Sequence, residues 1–142
     1  NKRLKRYAQL SIGKNAPNIK MPNLDNNIID VANELGDKNL VLFWSSKCPH
    51  CTTLLPKLNK WFLNTEGKQW KIFTISLDKD KDILNKTITD LNITLPTLCD
   101  YNGWDSKAAV DFNIHATPAM IVLDKTNKII AKPDRIEELN KI

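Results

Sequence analysis

The chain has 142 residues, of which 42% are hydrophobic and 26% charged, and this size and balance are typical of one globular domain rather than of a disordered or fibrous chain. Its formal net charge is +5, but the basic residues are interspersed with acids, which indicates a solvated basic surface and no nucleic-acid partner. No stretch reaches the ~18 apolar residues of a membrane-spanning helix, and the first residues lack the apolar core of a signal peptide.

The beginning of the chain differs from the remainder. Residues 2–6 carry a cluster of lysines and arginines, and we interpret residues 1–12 as a linker or tail and residues 13–142 as the folded domain. The first residue is Asn1 rather than methionine. We therefore expect a processed or trimmed product, and any export signal, lipid anchor or further domain would precede Asn1.

The first predicted elements are a hairpin, a central strand and a helix. Short apolar pairs within residues 19–31 flank an Asp-Asn-Asn triplet, which predicts a small hairpin at the edge of a sheet. Residues 40–44 form a continuous apolar run that favours a strand buried on both faces. From Pro49 onward, apolar residues recur at the spacing of one helix face, with Asn59 on the opposite, polar face. Pro56 falls inside this helix and should bend it.

Strands and helices alternate through the remainder of the chain. A capping-box pattern formed by Asp134 and Glu137 predicts the start of a terminal helix. The other predicted elements are strands at 70–77, 95–98, 119–123 and 129–131, and helices at 82–91 and 106–112. This order, with a hairpin late in the chain, predicts an α/β fold with a central mixed β-sheet flanked by helices on both faces.

Two of the three cysteines lie in the tetrapeptide Cys48-Pro49-His50-Cys51. A Cys-x-x-Cys pair serves equally as half of a zinc site or as a redox couple. A structural zinc site needs two further ligands at finger-like spacing, and the chain has no second Cys-x-x-Cys. Because the pair begins a helix after a buried strand, exposed N–H groups and the helix dipole favour a thiolate at Cys48. We therefore expect a redox-active Cys48–Cys51 disulfide, with no metal and no organic cofactor.

Several residues around this dithiol are together similar to those of thioredoxin-like thiol-disulfide oxidoreductases. They are Phe43-Trp44 before the dithiol, Pro56 in the following helix, and the segment Ile114-His115-Ala116-Thr117-Pro118 that leads into a strand. The opening Gly13-Lys14-Asn15-Ala16-Pro17 and an inserted helical segment at about 78–103 resemble the exported TlpA and ResA type. The implied structure is a thioredoxin fold with an N-terminal β extension.

The resemblance also implies details of the site and its setting. The Thr117–Pro118 bond would be cis and would face the dithiol, so that both residues bind the substrate backbone. Because an aromatic residue at the end of a strand can pack under the neighbouring loop, we expect Trp44 to form a wall of the active site, where it would bind substrate, as well as part of the core. The implied protein is bacterial and extracytoplasmic, in the periplasm or cell envelope. It would be a monomer that acts on protein disulfides or dithiols and is recharged by a membrane or soluble thiol donor.

The positions of the two cysteines predict their roles. Cys48 lies over the helix terminus and should attack a substrate disulfide, whereas Cys51, one turn into the helix, should be shielded and resolve the mixed disulfide. Lys47, Pro49 and His50 are expected to tune the couple, because positive charge beside the thiolate stabilises the reduced form and makes the disulfide more oxidising. The Pro-His pair between the cysteines resembles the inner pair of the DsbA oxidases, whereas the rest of the chain resembles the exported reductases. The direction of electron flow therefore stays open.

Two further features concern acids and the third cysteine. Thioredoxin keeps a buried acid at the strand position that holds Leu42 here, so the resolving thiol would lose its proton to solvent or to a distant carboxylate. Glu34, Asp78 and Asp80 are the candidates, and we expect each to lie on the surface. Cys99 is predicted to be a small buried hydrophobe, with a third redox partner or an intermolecular disulfide as the alternatives.

Two other functions fit part of the sequence. A peroxiredoxin-like thiol peroxidase would share the thioredoxin core. Resemblance to those enzymes implies the pattern Pro-x-x-x-Thr/Ser-x-x-Cys around the peroxide-reacting cysteine, but here the proline position holds Val41. A non-catalytic metal-binding module would hold a metal through Cys48 and Cys51, which the implied cis-proline disfavours. The predicted function is therefore an enzyme, a protein thiol-disulfide oxidoreductase.

Overall fold

The computed structural model describes residues 10–64 and 69–142, and the basic cluster at residues 2–6 lies outside them. The strands are β1 (Lys20–Pro22), β2 (Ile28–Asp30), β3 (Lys38–Trp44), β4 (Trp70–Ser76), β5 (Thr97–Leu98), β6 (Ala119–Asp124) and β7 (Ile129–Ala131). The α-helices are α1 (Pro49–Leu63), α2 (Lys81–Asp90) and α3 (Lys107–Asp111), and 3-10 helices span Val31–Asn33, Gly103–Asp105 and Ile136–Lys141. The predicted alternation of strands and helices is confirmed.

The main sheet is mixed, with the strand order β5-β4-β3-β6-β7. The central strand β3 is parallel to β4 and antiparallel to β6, and the outer pairs are parallel for β4 and β5 and antiparallel for β6 and β7. The strands β1 and β2 form a separate antiparallel hairpin, whose turn places Asn26 at φ +64°, a conformation that asparagine tolerates better than most residues. The Cys99 N–H donates a hydrogen bond to the Pro22 carbonyl oxygen (3.1 Å), which joins this hairpin to the sheet edge.

The core lies on both faces of β3. Side chains along a strand alternate between its faces, so Val41 and Phe43 enter one apolar cluster while Leu40, Leu42 and Trp44 enter the other. The second cluster is covered by α1 and α2 through Leu55, Leu58 and Leu84, and the first is covered by the α3 region through Ala108, Ala109 and Phe112. The predicted thioredoxin fold, with helices on both faces of a mixed sheet, is confirmed.

Helix α1 differs from the sequence prediction at one position. Asn59 does not lie on an exposed polar face, because its side chain is buried and its Oδ1 accepts hydrogen bonds from the Thr94 N–H (2.9 Å) and the Thr94 hydroxyl (3.0 Å). A buried polar side chain requires such partners. The pattern of apolar residues did not reveal Asn59 because its partner lies beyond α2, 35 residues along the chain.

The two ends of the described chain also differ in detail from the predictions. Leu10, which the sequence assigns to the linker, is buried in the core cluster that contains Val41 and Phe43. At the other end, the terminal helix is a 3-10 helix, and Glu138 rather than Glu137 supplies the capping carboxylate. Hydrogen bonds from the N–H groups that precede this helix lower the pKa of Glu138. None of the described helices is both long and apolar enough to cross a membrane.

Candidate active site

The dithiol lies between the end of β3 and the first turn of α1. Cys48 is the N-cap residue of α1, with an extended backbone (φ −93°, ψ 111°), and its Sγ accepts a hydrogen bond from the Cys51 N–H at 3.2 Å. Pro49 occupies the first helical position, where the missing N–H leaves nothing unpaired. The Cys48 sulfur is therefore placed where unpaired N–H groups and the helix dipole stabilise negative charge.

The two sulfurs form a disulfide, and the Cα atoms of Cys48 and Cys51 are 5.2 Å apart. Their exposure differs, because Cys51 is 0% exposed within the apolar cluster under α1, whereas Cys48 is partly exposed. Pro49 and His50 are exposed on the surface of the same turn. One sulfur of the pair is thus accessible to another molecule and the other is not.

The segment that precedes β6 forms the opposite side of the dithiol. The antiparallel register pairs Phe43 with Ala119, so the residues that precede β6 lie beside those that follow β3. The Cys48 Sγ lies 3.6 Å from the Thr117 carbonyl oxygen. The Thr117–Pro118 peptide bond is cis, and both residues are partly exposed. The sheet register thereby brings together two motifs that are about 70 residues apart in sequence.

A buried carboxylate holds the loop in front of Cys48. Asp78 follows β4, which is parallel to β3 and adjacent to it, so the loops after both strands leave the same edge of the sheet. The Asp78 carboxylate is 5% exposed and accepts hydrogen bonds from the Ser46 N–H (3.0 Å), the Ser46 hydroxyl (2.8 Å) and the Ser76 hydroxyl (2.6 Å). Among the residues that the structure describes, no cation forms an ion pair with it. The expectation of a surface acid is wrong for Asp78, because these serines replace water as its partners.

The other two candidate acids lie on the surface as predicted. Glu34 is exposed near the start of β3, at the end of the strand remote from the dithiol. Asp80 is the N-cap residue of α2, and its carboxylate accepts hydrogen bonds from the Asp82 and Ile83 N–H groups. A carboxylate in this position stabilises the start of a helix.

Trp44 lies in the core as predicted, but it is not exposed as a wall of the substrate site. Its side chain is 0% exposed and packs in the same apolar cluster as Cys51, because its position in β3 directs it to the face that α1 covers. The exposed indole beside the dithiol belongs to Trp104, which lines a groove of about 470 Å³ together with Cys48 and Thr117. Sequence reasoning missed Trp104, although its polar neighbours Asn102 and Asp105 indicated an exposed position.

Cys99 lies apart from the redox pair as a buried free thiol. Its Sγ accepts a hydrogen bond from the Tyr101 N–H at 3.4 Å and lies 3.5 Å from the Asp78 carbonyl oxygen. Burial raises the pKa of the Cys99 thiol above its usual value. Because the thiolate is the reactive form, this environment supports the interpretation of Cys99 as a small buried hydrophobe.

Comparison with known proteins places the chain in a family. Residues 12–132 match the AhpC/TSA family. The chain belongs to the AhpC/TSA family. Among its curated relatives, the thiol-disulfide oxidoreductase ResA of Bacillus cereus is 21% identical over 124 residues, which cover 87% of this chain and 70% of ResA.

Solved structures of other proteins share the fold of this AhpC/TSA member. The thioredoxin domain of a thiol-disulfide oxidoreductase from Bacteroides vulgatus has a TM-score of 0.82 at 25% identity and covers 93% of this chain and 94% of its own. A thiol-disulfide oxidoreductase from Bacteroides fragilis has a TM-score of 0.77 at 28% identity and covers 90% of this chain and 96% of its own. With the Cys48–Cys51 pair at the start of α1, these relatives confirm the prediction that this AhpC/TSA member is a thiol-disulfide oxidoreductase.

The two alternative functions are not favoured. Val41 occupies the position where the peroxidase pattern requires proline, and it lies inside β3, paired with Phe73 on one side and Ile121 on the other. A proline there would remove a hydrogen bond from a central strand. The relatives named above are oxidoreductases rather than metal-binding modules.

Proposed function

We propose that this enzyme exchanges disulfides with protein substrates by a two-step reaction in which Cys48 attacks and Cys51 resolves. The observation that carries the proposal is the difference in exposure between the two sulfurs of the pair. Exchange requires a thiolate to approach a disulfide sulfur directly. Of the two, the Cys48 sulfur is the one that a polypeptide can approach.

The reducing direction illustrates how bonds and electrons balance. The Cys48 thiolate bonds to one substrate sulfur while the substrate S–S bond breaks, and the departing sulfur leaves as a thiolate that takes a proton from solvent. Cys51 then loses its proton and attacks the Cys48 sulfur, which closes the intramolecular disulfide and releases the second substrate thiolate. Two electrons have passed from the dithiol to the substrate. Oxidation of a substrate dithiol is the same sequence in reverse, and a membrane or soluble thiol donor restores the dithiol for the next reduction.

Backbone groups around Cys48 support both steps. The Cys51 N–H, at 3.2 Å from the Cys48 Sγ, stabilises negative charge on that sulfur when it attacks and again when it departs from a mixed disulfide. Thr117 and Pro118 provide the surface against which the substrate backbone lies. The 3.6 Å distance between the Thr117 carbonyl oxygen and the Cys48 sulfur supports this placement.

Three exposed residues beside the dithiol set its reduction potential in this proposal. Lys47 and His50 bring positive charge to the region of the Cys48 thiolate, which stabilises the reduced form and makes the disulfide more oxidising. Pro49 fixes the first turn of α1. The balance between protein reduction and protein oxidation then follows from this potential relative to that of the thiol donor.

The proposed setting is extracytoplasmic, in the periplasm or cell envelope. It is supported by the similarity to ResA and by the inserted segment between β4 and α3, which contains α2 and β5. Fractionation of cells that produce the complete protein tests this: recovery of the enzyme with extracytoplasmic markers supports the setting, and recovery with cytosolic markers contradicts it.

Covalent trapping tests the roles of the two cysteines. In Cys51→Ser the resolving step is lost, so incubation of the reduced variant with a disulfide-containing protein should accumulate a mixed disulfide on Cys48. Non-reducing electrophoresis followed by mass spectrometry measures the adduct, and dithiothreitol should release it. The matched variant Cys48→Ser should trap nothing. Adducts on Cys51 of that variant, with none on Cys48 of the first, would reverse the assignment.

A further inference from the structure

The groove beside the dithiol has walls that the exchange reaction itself does not use. It is lined by Cys48 and Thr117 on one side, and by Lys79, Ile83 and Trp104 from the segment between β4 and α3. A substrate that fills this groove while reaching Cys48 therefore also contacts the three outer residues. Those residues are in a position to select among substrates.

Two large apolar side chains are exposed along this groove. Trp104 is 50% exposed and Ile83 is 39% exposed. Exposed apolar surface is unfavourable in water, and aromatic residues that become covered on binding often dominate an interface. An apolar side chain of a bound substrate would cover both.

The position of Trp104 is fixed by its neighbours. Gly103 has φ +60°, and a Cβ atom there would lie 2.6 Å from the Lys79 Cε, so the aliphatic part of Lys79 packs directly against this glycine. The Ser106 N–H donates to the Gly103 carbonyl oxygen (3.1 Å), and the Ser106 hydroxyl donates to Asp100 (3.0 Å). Lys79 therefore lies against the residue that precedes Trp104, and a hydrogen-bonded turn presents Trp104 to the groove.

Two exposed lysines of the groove can pair with an acidic group of the substrate. Lys47 and Lys79 are exposed, and neither forms an ion pair with any residue that the structure describes. The two acids that line the groove already have partners: the carboxylate of Asp78 is buried among serines, and that of Asp80 caps α2. The two lysines, which lack such partners among the described residues, can therefore pair with a carboxylate of the bound molecule.

We propose that this groove selects extended polypeptide segments in which an aromatic or large aliphatic side chain and a carboxylate flank the cysteine of the disulfide. The apolar side chain packs against Trp104 and Ile83, and the carboxylate pairs with Lys79 and Lys47. This inference rests on the proposed function, and it adds the chemical class of substrate that the enzyme handles fastest.

Chromogenic peptides test the selection. Each peptide carries one cysteine as a mixed disulfide with thionitrobenzoate, flanked by Trp and Glu, Ala and Glu, Trp and Lys, or Ala and Lys. The reduced wild-type enzyme should release thionitrobenzoate fastest from the Trp-Glu peptide. Trp104→Ala should slow that reaction roughly tenfold and remove the preference for Trp over Ala, whereas Lys79→Glu should reverse the preference between Glu and Lys at low salt.

Two controls separate this inference from the function on which it rests. Bis(2-hydroxyethyl) disulfide has no flanking side chains, so Trp104→Ala and Lys79→Glu should still reduce it, which shows that both variants are folded and competent for disulfide exchange. The matched variants Leu63→Ala and Lys125→Glu change an exposed apolar residue and an exposed cation away from the groove, and they should keep both preferences. Equal rates on all four peptides would overturn the proposed selection by the groove while leaving disulfide exchange intact. No reaction with any disulfide would overturn the proposed function itself.

Discussion

Replacement of Cys48 by serine should abolish disulfide turnover. We expect the rate to fall on the order of a thousandfold or more, to the uncatalysed level, because a serine hydroxyl is almost never ionised at neutral pH and cannot form a disulfide. Reduction of insulin with dithiothreitol as the electron donor, followed by turbidity, measures the effect. The large loss follows directly from the accessible position of Cys48 at the start of α1.

Cys99→Ser is the matched control for that experiment. The thiol of Cys99 is buried, and burial raises its pKa, so it contributes little thiolate at neutral pH and its removal should leave turnover near the wild-type rate. Some loss of stability is expected, since serine is more polar than cysteine in an apolar site. Turnover that survives Cys48→Ser but disappears in Cys99→Ser would transfer the attacking role to Cys99.

Replacement of Asp78 by alanine should have the largest effect among the acids. The Ser46 N–H and the hydroxyls of Ser46 and Ser76 would lose a buried acceptor, and each unsatisfied buried group costs about 1–3 kcal/mol. Because hydroxyls can rotate to new partners, we expect the free energy of unfolding to fall by about 3 kcal/mol rather than by the full sum. The loop before Cys48 would also be held less firmly, which should slow exchange roughly tenfold.

Urea unfolding of the oxidised protein measures the stability change as a lower midpoint at constant slope. Asp90→Asn is the matched control, because this exposed acid forms an ion pair with the exposed Lys86 on α2, and such pairs contribute about 0–1 kcal/mol. Asp78→Asn keeps the shape of the side chain and should lie between the wild type and Asp78→Ala in both measurements. Equal stability and equal exchange rates for the Asp78 and Asp90 variants would show that the buried carboxylate does not position the loop.

Much of the architecture could be predicted because it depends on local patterns. The unbroken apolar run at residues 40–44 identified a strand covered on both faces, and the dithiol followed by helical spacing located the start of α1. These signals are contained in neighbouring residues, and packing reinforces them. The catalytic class followed from the same short segment, together with the pair Thr117-Pro118.

Other features depend on which distant residues meet, and the sequence does not contain that information locally. Asp78 is buried because parallel pairing places it beside Ser46, 32 residues earlier, and Asn59 is buried because Thr94 satisfies it. Without knowledge of these distant partners, a single acid or amide near apolar residues is predicted to lie on the surface. Trp44 shows the same limit, since sheet register and the cover of α1 bury its side chain.

The reduction potential of the Cys48–Cys51 couple is the most direct test of disulfide exchange as the function. The protein is equilibrated in glutathione buffers of graded potential, the remaining thiols are alkylated, and the fraction of disulfide is measured by mass spectrometry. We predict one reversible transition with the steepness of a two-electron couple, near 30 mV per tenfold change in the ratio of the two forms, and no change in the state of Cys99. A pair that stays entirely reduced or entirely oxidised across all buffers would contradict the proposal that Cys48 and Cys51 act as a cycling dithiol.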